Sequence, residues 1–199
     1  MAYPAFIPGA TVVGMIYADG AILGAEKRIS YGTYITSRSG KKVFKITDKV
    51  GVAAAGMIAD MQVLIRQVQS HTRILELELK RPVAPNSVAK LMSVIMFQNR
   101  YFPLLTQIIV AGVDGTPSVY VLDPLGSVIP DEYATVGSGA ELAIGIVEEG
   151  YKKGMTEREA SDLVLKSIKT AIARDSSSGD GVDLLIIDGK GIHEENITL

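Results

Sequence analysis

The stretch "GATVVGMIYADGAILGAEKR", residues 9–28, puts chemistry at the end of an apolar run. It reads as strand, turn and strand, yet it closes on Glu26, Lys27 and Arg28, charges that a surface hairpin would not require. A second cationic pair, Lys41 and Lys42, precedes "VFKI". Hydroxyls and carboxylates gather in "RDSSSGDGVD", and another hydroxyl lies in "VGSGA". Taken singly, each group has a structural explanation. Glu26 with Lys42 could be an ordinary cross-strand ion pair. Ser138 could cap a helix, and Asp175 and Ser178 could belong to a loop of turn formers. Their joint occurrence is what points to acid–base work. There is no cysteine, so thiolate chemistry and disulfides are excluded. His71 and His193 stand alone in the sequence, with no metal-ligand cluster around them, and no cofactor is expected.

The elements that must carry these groups follow from pattern. Short runs rich in Val, Ile, Thr and Tyr, punctuated by Asp19-Gly20 and Ser39-Gly40, predict hairpins and an antiparallel sheet. From Met57 to about Lys80 the spacing turns helical, with Met57, Met61, Leu64, Ile65, Val68, Leu75 and Leu79 on one stripe. Pro82 and Pro85 close that helix. Asn86 or Ser87 is expected to cap a second one carrying Val88, Leu91, Met92, Ile95, Met96 and Phe102. "TQIIVAGVDGTPSVYVLDPLGSVI" predicts a second meander. A third helix should follow "VGSGA". Thr156 with Glu159 has capping-box spacing for a fourth, which runs to about Arg174, and two strands around Asp188-Gly189 close the chain. Strand runs separated by helix pairs predict an α+β fold: a four-layer αββα sandwich of two antiparallel sheets flanked by helices.

Composition agrees with one domain over residues 10–199. The 199 residues are 47% hydrophobic and 21% charged, which suits a well-buried chain and leaves apolar surplus for covering by other subunits. With a net charge of -2 and scattered basic residues, neither nucleic acid nor an acidic membrane is an expected partner. The start lacks a signal-peptide pattern, and a cytoplasmic location is expected.

Six motifs in order, "TVVGMIYADGAILGAEKR", "SGKKVFKI", "VAAAGMIAD", "NRYFP", "VGSGA" and "RDSSSGDGVD", resemble those of proteasome β-type subunits, and among these the simpler archaeal ones. These are N-terminal-nucleophile hydrolases and threonine endopeptidases. The resemblance covers nearly the whole chain. It implies a seven-membered β ring beside α subunit rings, a chamber in which unfolded proteins are degraded, and a regulatory unfoldase ATPase acting through the α ring. An outer-ring α subunit is the poorer match, since that type carries an extra helix ahead of the first strand and the proline-broken "MAYPAFIP" does not suit one.

The same resemblance assigns the site. Lys42 is the buried lysine that tunes the nucleophile's hydroxyl, and Glu26 is the carboxylate that orients and charges it, with Arg28 in the same network. Ser138, Asp175 and Ser178 support the nucleophile's amine and hydroxyl. The Gly56 N–H stabilises the oxyanion. Ile29, Phe44, Ala54 and Ile58, with Gly40 at the edge, line the pocket for the substrate residue before the cut, and their apolar character implies cleavage after large apolar residues.

One position departs from the family. Gly9 aligns as the last residue of a propeptide, residues 1–9, and Ala10 falls where the nucleophilic threonine belongs. Alanine has no hydroxyl, and Thr11, one residue along a strand, should point to the opposite face. As written, the chain should neither cut itself after Gly9 nor hydrolyse peptides. The intact set of supporting residues favours an introduced Thr→Ala change; the alternative is a naturally silent β subunit forming ring and chamber wall beside an active companion. With the Gly9–Ala10 bond uncut, Phe6, Ile7 and Pro8 are expected to run into the substrate groove along the Gly56 strand, with Gly9 near the Gly56 N–H.

Overall fold

Strands buried on both faces need cover on both sides, and every residue of the segments 20–26 and 50–56 is buried. That requirement sets the layering seen in the computed structural model, which describes residues 9–199. The chain order is β1 (Val12–Tyr17), β2 (Gly20–Glu26), β3 (Ile29–Tyr31), β4 (Tyr34–Ser37), β5 (Val43–Lys45) and β6 (Val50–Gly56). Helices α1 (Ile58–Leu79) and α2 (Pro85–Gln98) follow. Then come β7 (Thr106–Asp114), β8 (Thr116–Leu122), β9 (Ile129–Asp131), β10 (Tyr133–Val136), α3 (Ala140–Gly150), α4 (Glu157–Ile172), β11 (Val182–Asp188) and β12 (Ile192–Ile197).

The strands form two five-stranded antiparallel sheets, β10-β1-β2-β11-β12 and β5-β6-β7-β8-β9, plus the separate β3-β4 hairpin. Three apolar layers hold them. Val12, Leu23, Leu185 and Ile187 of the first sheet meet Ala53, Ile109, Ala111 and Val119 of the second. Val13, Met15, Ile22, Leu184 and Ile186 face Ala143 and Val147 of α3 and Leu163, Val164 and Ile168 of α4. Val52, Ala54, Ile108 and Val110 face Met61, Leu64, Ile65 and Val68 of α1 and Val88, Met92 and Met96 of α2. The expected four-layer αββα sandwich is therefore the observed one.

Local expectations need several adjustments. Ser39-Gly40 turns no hairpin but joins β4 to β5 in a different sheet, and Leu79, 45% exposed, is off the buried stripe of α1. Tyr17 pairs with Gly20, so the first turn is Ala18-Asp19 and Gly20 opens β2. A Cβ on Gly20 would overlap the Ile187 carbonyl, so glycine there serves the approach of β11. Pro85 does not end a helix but begins α2, where its missing N–H is no loss; the N-cap is Ala84, which makes no side-chain cap, and neither Asn86 nor Ser87 holds that position. Phe102 lies beyond α2 and is 89% exposed, off the predicted stripe. The capping box at α4 is formed as expected. Glu159 N donates to Thr156 Oγ1 at 3.3 Å, and the Glu159 carboxylate accepts from Thr156 N at 2.8 Å.

Candidate active site

The start of β1 and the end of β2 are neighbours, because Val12 pairs with Ala25 and Glu26 N donates to Thr11 O at 3.2 Å. The antiparallel register thus brings residue 10 and Glu26 to one end of the first sheet. β11 flanks the other side of β2, with Val182 opposite Glu26, so the 175–180 loop that precedes it arrives at the same end. Lys42 comes from the second sheet, where its carbonyl accepts from Ala54 N at 2.9 Å. Its side chain bridges to the first.

Lys42 and Glu26 are 1% and 0% exposed and form an ion pair through Lys42 Nζ and Glu26 Oε1. Lys42 Nζ also donates to the Arg28 carbonyl at 2.6 Å. Glu26 Oε2 accepts from Arg28 N at 2.7 Å and Gly179 N at 3.0 Å, so both carboxylate oxygens are held. Burial lowers the Lys42 pKa and raises that of Glu26, while each partner's charge opposes the other's shift. The Arg28 guanidinium faces outward onto the loop, donating to Asp180 Oδ2 at 2.7 Å and to the Ser176 carbonyl at 2.9 Å.

A second network surrounds residue 10. Ala10 N donates to Ser138 Oγ at 3.1 Å, and the Ala10 carbonyl accepts from Gly139 N at 3.2 Å. Asp175 Oδ2 accepts from Ser138 Oγ at 2.6 Å and from Ser178 Oγ at 2.7 Å, and Asp175 Oδ1 accepts from Ser177 N at 3.0 Å. Asp175 also lies close enough to Lys42 to favour its charged form. The Ala10 methyl is buried between the sheets with Val12, Val43, Ala53 and Ala55. Thr11 points the other way, as the strand period demands, and its hydroxyl meets Ser178 Oγ at 2.8 Å.

Gly56 ends β6 at φ +131°, a conformation that disfavours any side chain, and a Cβ there would run into the Leu105 carbonyl. Together with Thr106, Gln107, Gly137 and Ser138 it lines a cleft of about 350 Å³. Of the five residues expected in the specificity pocket, Phe44 and Ile58 pack half-buried on the core that contains the fully buried Ala54. Ile29 lies against Gly40, where a Cβ would come within 2.5 Å of Ile29 Cδ1. Gly9 is buried between Ser177 and Ser138, the latter 2.6 Å from where a Gly9 Cβ would be. Phe6, Ile7 and Pro8 lie outside the described residues. Thr11, expected only to point away from position 10, joins the site through Ser178, and the backbone N–H of Gly179, which no sequence signal marked, joins it through Glu26.

No described helix is long and apolar enough to cross a membrane, and no group of three or more His, Asp or Glu suited to a metal ion is found among the described residues.

Two antiparallel sheets between helix pairs, with the start of β1 at the polar centre, define the N-terminal-nucleophile hydrolase fold. The family model described as proteasome subunit matches residues 8–187. The chain is 53% identical to proteasome subunit beta 1 of Cenarchaeum symbiosum over 94% of this chain and 97% of that one. It is 51% identical to proteasome subunit beta 1 of Nitrosopumilus maritimus over 95% and 96%. Proteasome subunit beta 2 of Caldivirga maquilingensis is 46% identical over 95% of each. The chain belongs to the proteasome family, among the β subunits of the core particle.

Proposed function

We propose that this chain is a β subunit whose threonine-peptidase site is complete except for the nucleophile, so that it contributes ring and chamber wall but does not hydrolyse peptides as written. The observation that carries this reading is the polar framework around a methyl group. Ser138 and Gly139 hold the Ala10 backbone, the Ala10 methyl is buried with Val12, Val43, Ala53 and Ala55, and Lys42 reaches from beside β5 to Glu26 at the end of β2 where residue 10 lies.

With threonine at position 10 the roles would divide as follows. Lys42 stabilises the alkoxide that forms as the hydroxyl's proton passes to the freed amine of residue 10, and Glu26 keeps the ammonium oriented. Ser138, whose single proton is committed to Asp175, accepts from the nitrogen of residue 10 and so turns a freed amine's lone pair toward the hydroxyl. The Gly56 N–H supports the oxyanion, and Ile29, Gly40, Phe44, Ala54 and Ile58 receive an apolar side chain. Seven such subunits would form a ring beside α rings in the cytoplasm, taking unfolded protein delivered by an ATPase unfoldase.

That no helper is missing favours an introduced Thr→Ala change. A second reading, a naturally silent subunit beside an active one, draws on the relatives' names, which number β subunits 1 and 2. The test is peptide hydrolysis by assembled particles carrying Ala10→Thr beside the parent chain. The expected result is activity only in the Ala10→Thr particles, faster after leucine or tyrosine than after arginine or glutamate. An inactive, fully assembled Ala10→Thr particle would contradict the complete-site reading.

A further inference from the structure

Asp175, bonded as a carboxylate, can only accept, and that fixes the direction of every hydroxyl around it. Ser178 donates its proton to Asp175 Oδ2 at 2.7 Å, so toward Thr11, 2.8 Å away, it can only accept. Thr11 therefore donates. Ser138 likewise donates to Asp175 and accepts from Ala10 N. The result is one directed chain, Thr11 to Ser178 to Asp175, with Ser138 entering from the other side and holding residue 10. Thr11 is 0% exposed, and room for its hydroxyl is built in. Gly139, at the start of α3, has φ -88°, which any residue could adopt, yet a Cβ there would overlap Thr11 Oγ1. Glycine at 139 is thus explained by space for this hydroxyl and not by backbone conformation.

We infer that Thr11 is a positioning residue for the nucleophile site: its buried hydroxyl locks Ser178 onto Asp175, and through Asp175 and Ser138 it fixes the nitrogen of residue 10. The relevance to hydrolysis rests on the reading above that threonine at position 10 completes the site. Thr11→Val keeps the shape and removes the donor. A methyl facing Ser178 Oγ cannot stay at hydrogen-bond distance and needs about 3.3–3.6 Å, which displaces Ser178 from Asp175.

Two arms test this. In the parent chain, independent of activity, a high-resolution crystal structure of Thr11→Val should show Ser178 Oγ turned away from Asp175 and the Ser138 contact to residue 10 lengthened. All those contacts unchanged would overturn the inference. In the Ala10→Thr particle, Thr11→Val should lower kcat about tenfold with KM nearly unchanged, the signature of misplacement at the reacting group. Thr11→Ser, which returns the hydroxyl, should restore kcat to within about twofold. Equal kcat for Thr11→Val and its parent would overturn the inference. If Ala10→Thr alone is inactive, the complete-site reading fails, and the crystallographic arm decides the role of Thr11 by itself.

Discussion

A lysine and a glutamate buried against each other have left water together, and each is tolerable only while the other is present. Glu26→Gln should therefore cost about 3–5 kcal/mol near neutral pH, because Lys42 remains buried without its partner. The sign with pH is fixed by the direction of the shift. Burial holds the folded Lys42 pKa below its unfolded value, and without Glu26 nothing of that size opposes it. The stability tied to such a group is present above its unfolded pKa of about 10.4 and is lost as pH falls through the window below. The gap between parent and Glu26→Gln, measured by urea unfolding, should shrink from about pH 7 to about pH 9.5; a constant gap would count against a depressed Lys42. At this scale the sequence was informative in kind but not in arrangement. Charges beside an apolar run signal a buried pair. The Thr11 to Ser178 contact joins residues 167 apart and depends on the path of the 175–180 loop, including Asp180 at a left-handed φ of 68° stabilised by Arg28, which no local pattern announces.

Elements were the most legible part, since helix and strand periods are written directly in the apolar residues. The sheets' pairing partners were less so, because β10 and β11 join β1 and β2 from far along the chain. The two helix starts that differ most give opposite predictions. Thr156 and Glu159 cap α4 reciprocally, so Thr156→Ala should destabilise the isolated subunit by about 1 kcal/mol. Ala84 has extended backbone suited to a cap but no oxygen to offer, so Ala84→Ser should add about 0.5–1 kcal/mol. Urea midpoints of the two variants should move in opposite directions; a shift of the same sign in both would mean that packing, and not capping, sets these helix ends. Pro85 misled the reading of α2 because proline terminates a helix only from within and is favoured at its first position.

At the scale of the whole molecule, the isolated chain leaves Tyr101 and Phe102 75% and 89% exposed just beyond α2. Proteasome subunits assemble with one another, and apolar rings in open water are ready material for such contacts. Tyr101→Ser with Phe102→Ser should leave the subunit's own melt within about 0.5 kcal/mol of the parent while reducing incorporation into particles, as read by native mass spectrometry. Undiminished incorporation would place these rings outside any subunit contact. The central claim, that one missing hydroxyl separates this chain from a working site, is tested most directly by the intact mass of the β subunit in particles assembled with Ala10→Thr. The account predicts a chain shortened by residues 1–9, cut after Gly9, where the parent keeps its full mass. A full-length Ala10→Thr chain in correctly assembled particles would contradict it.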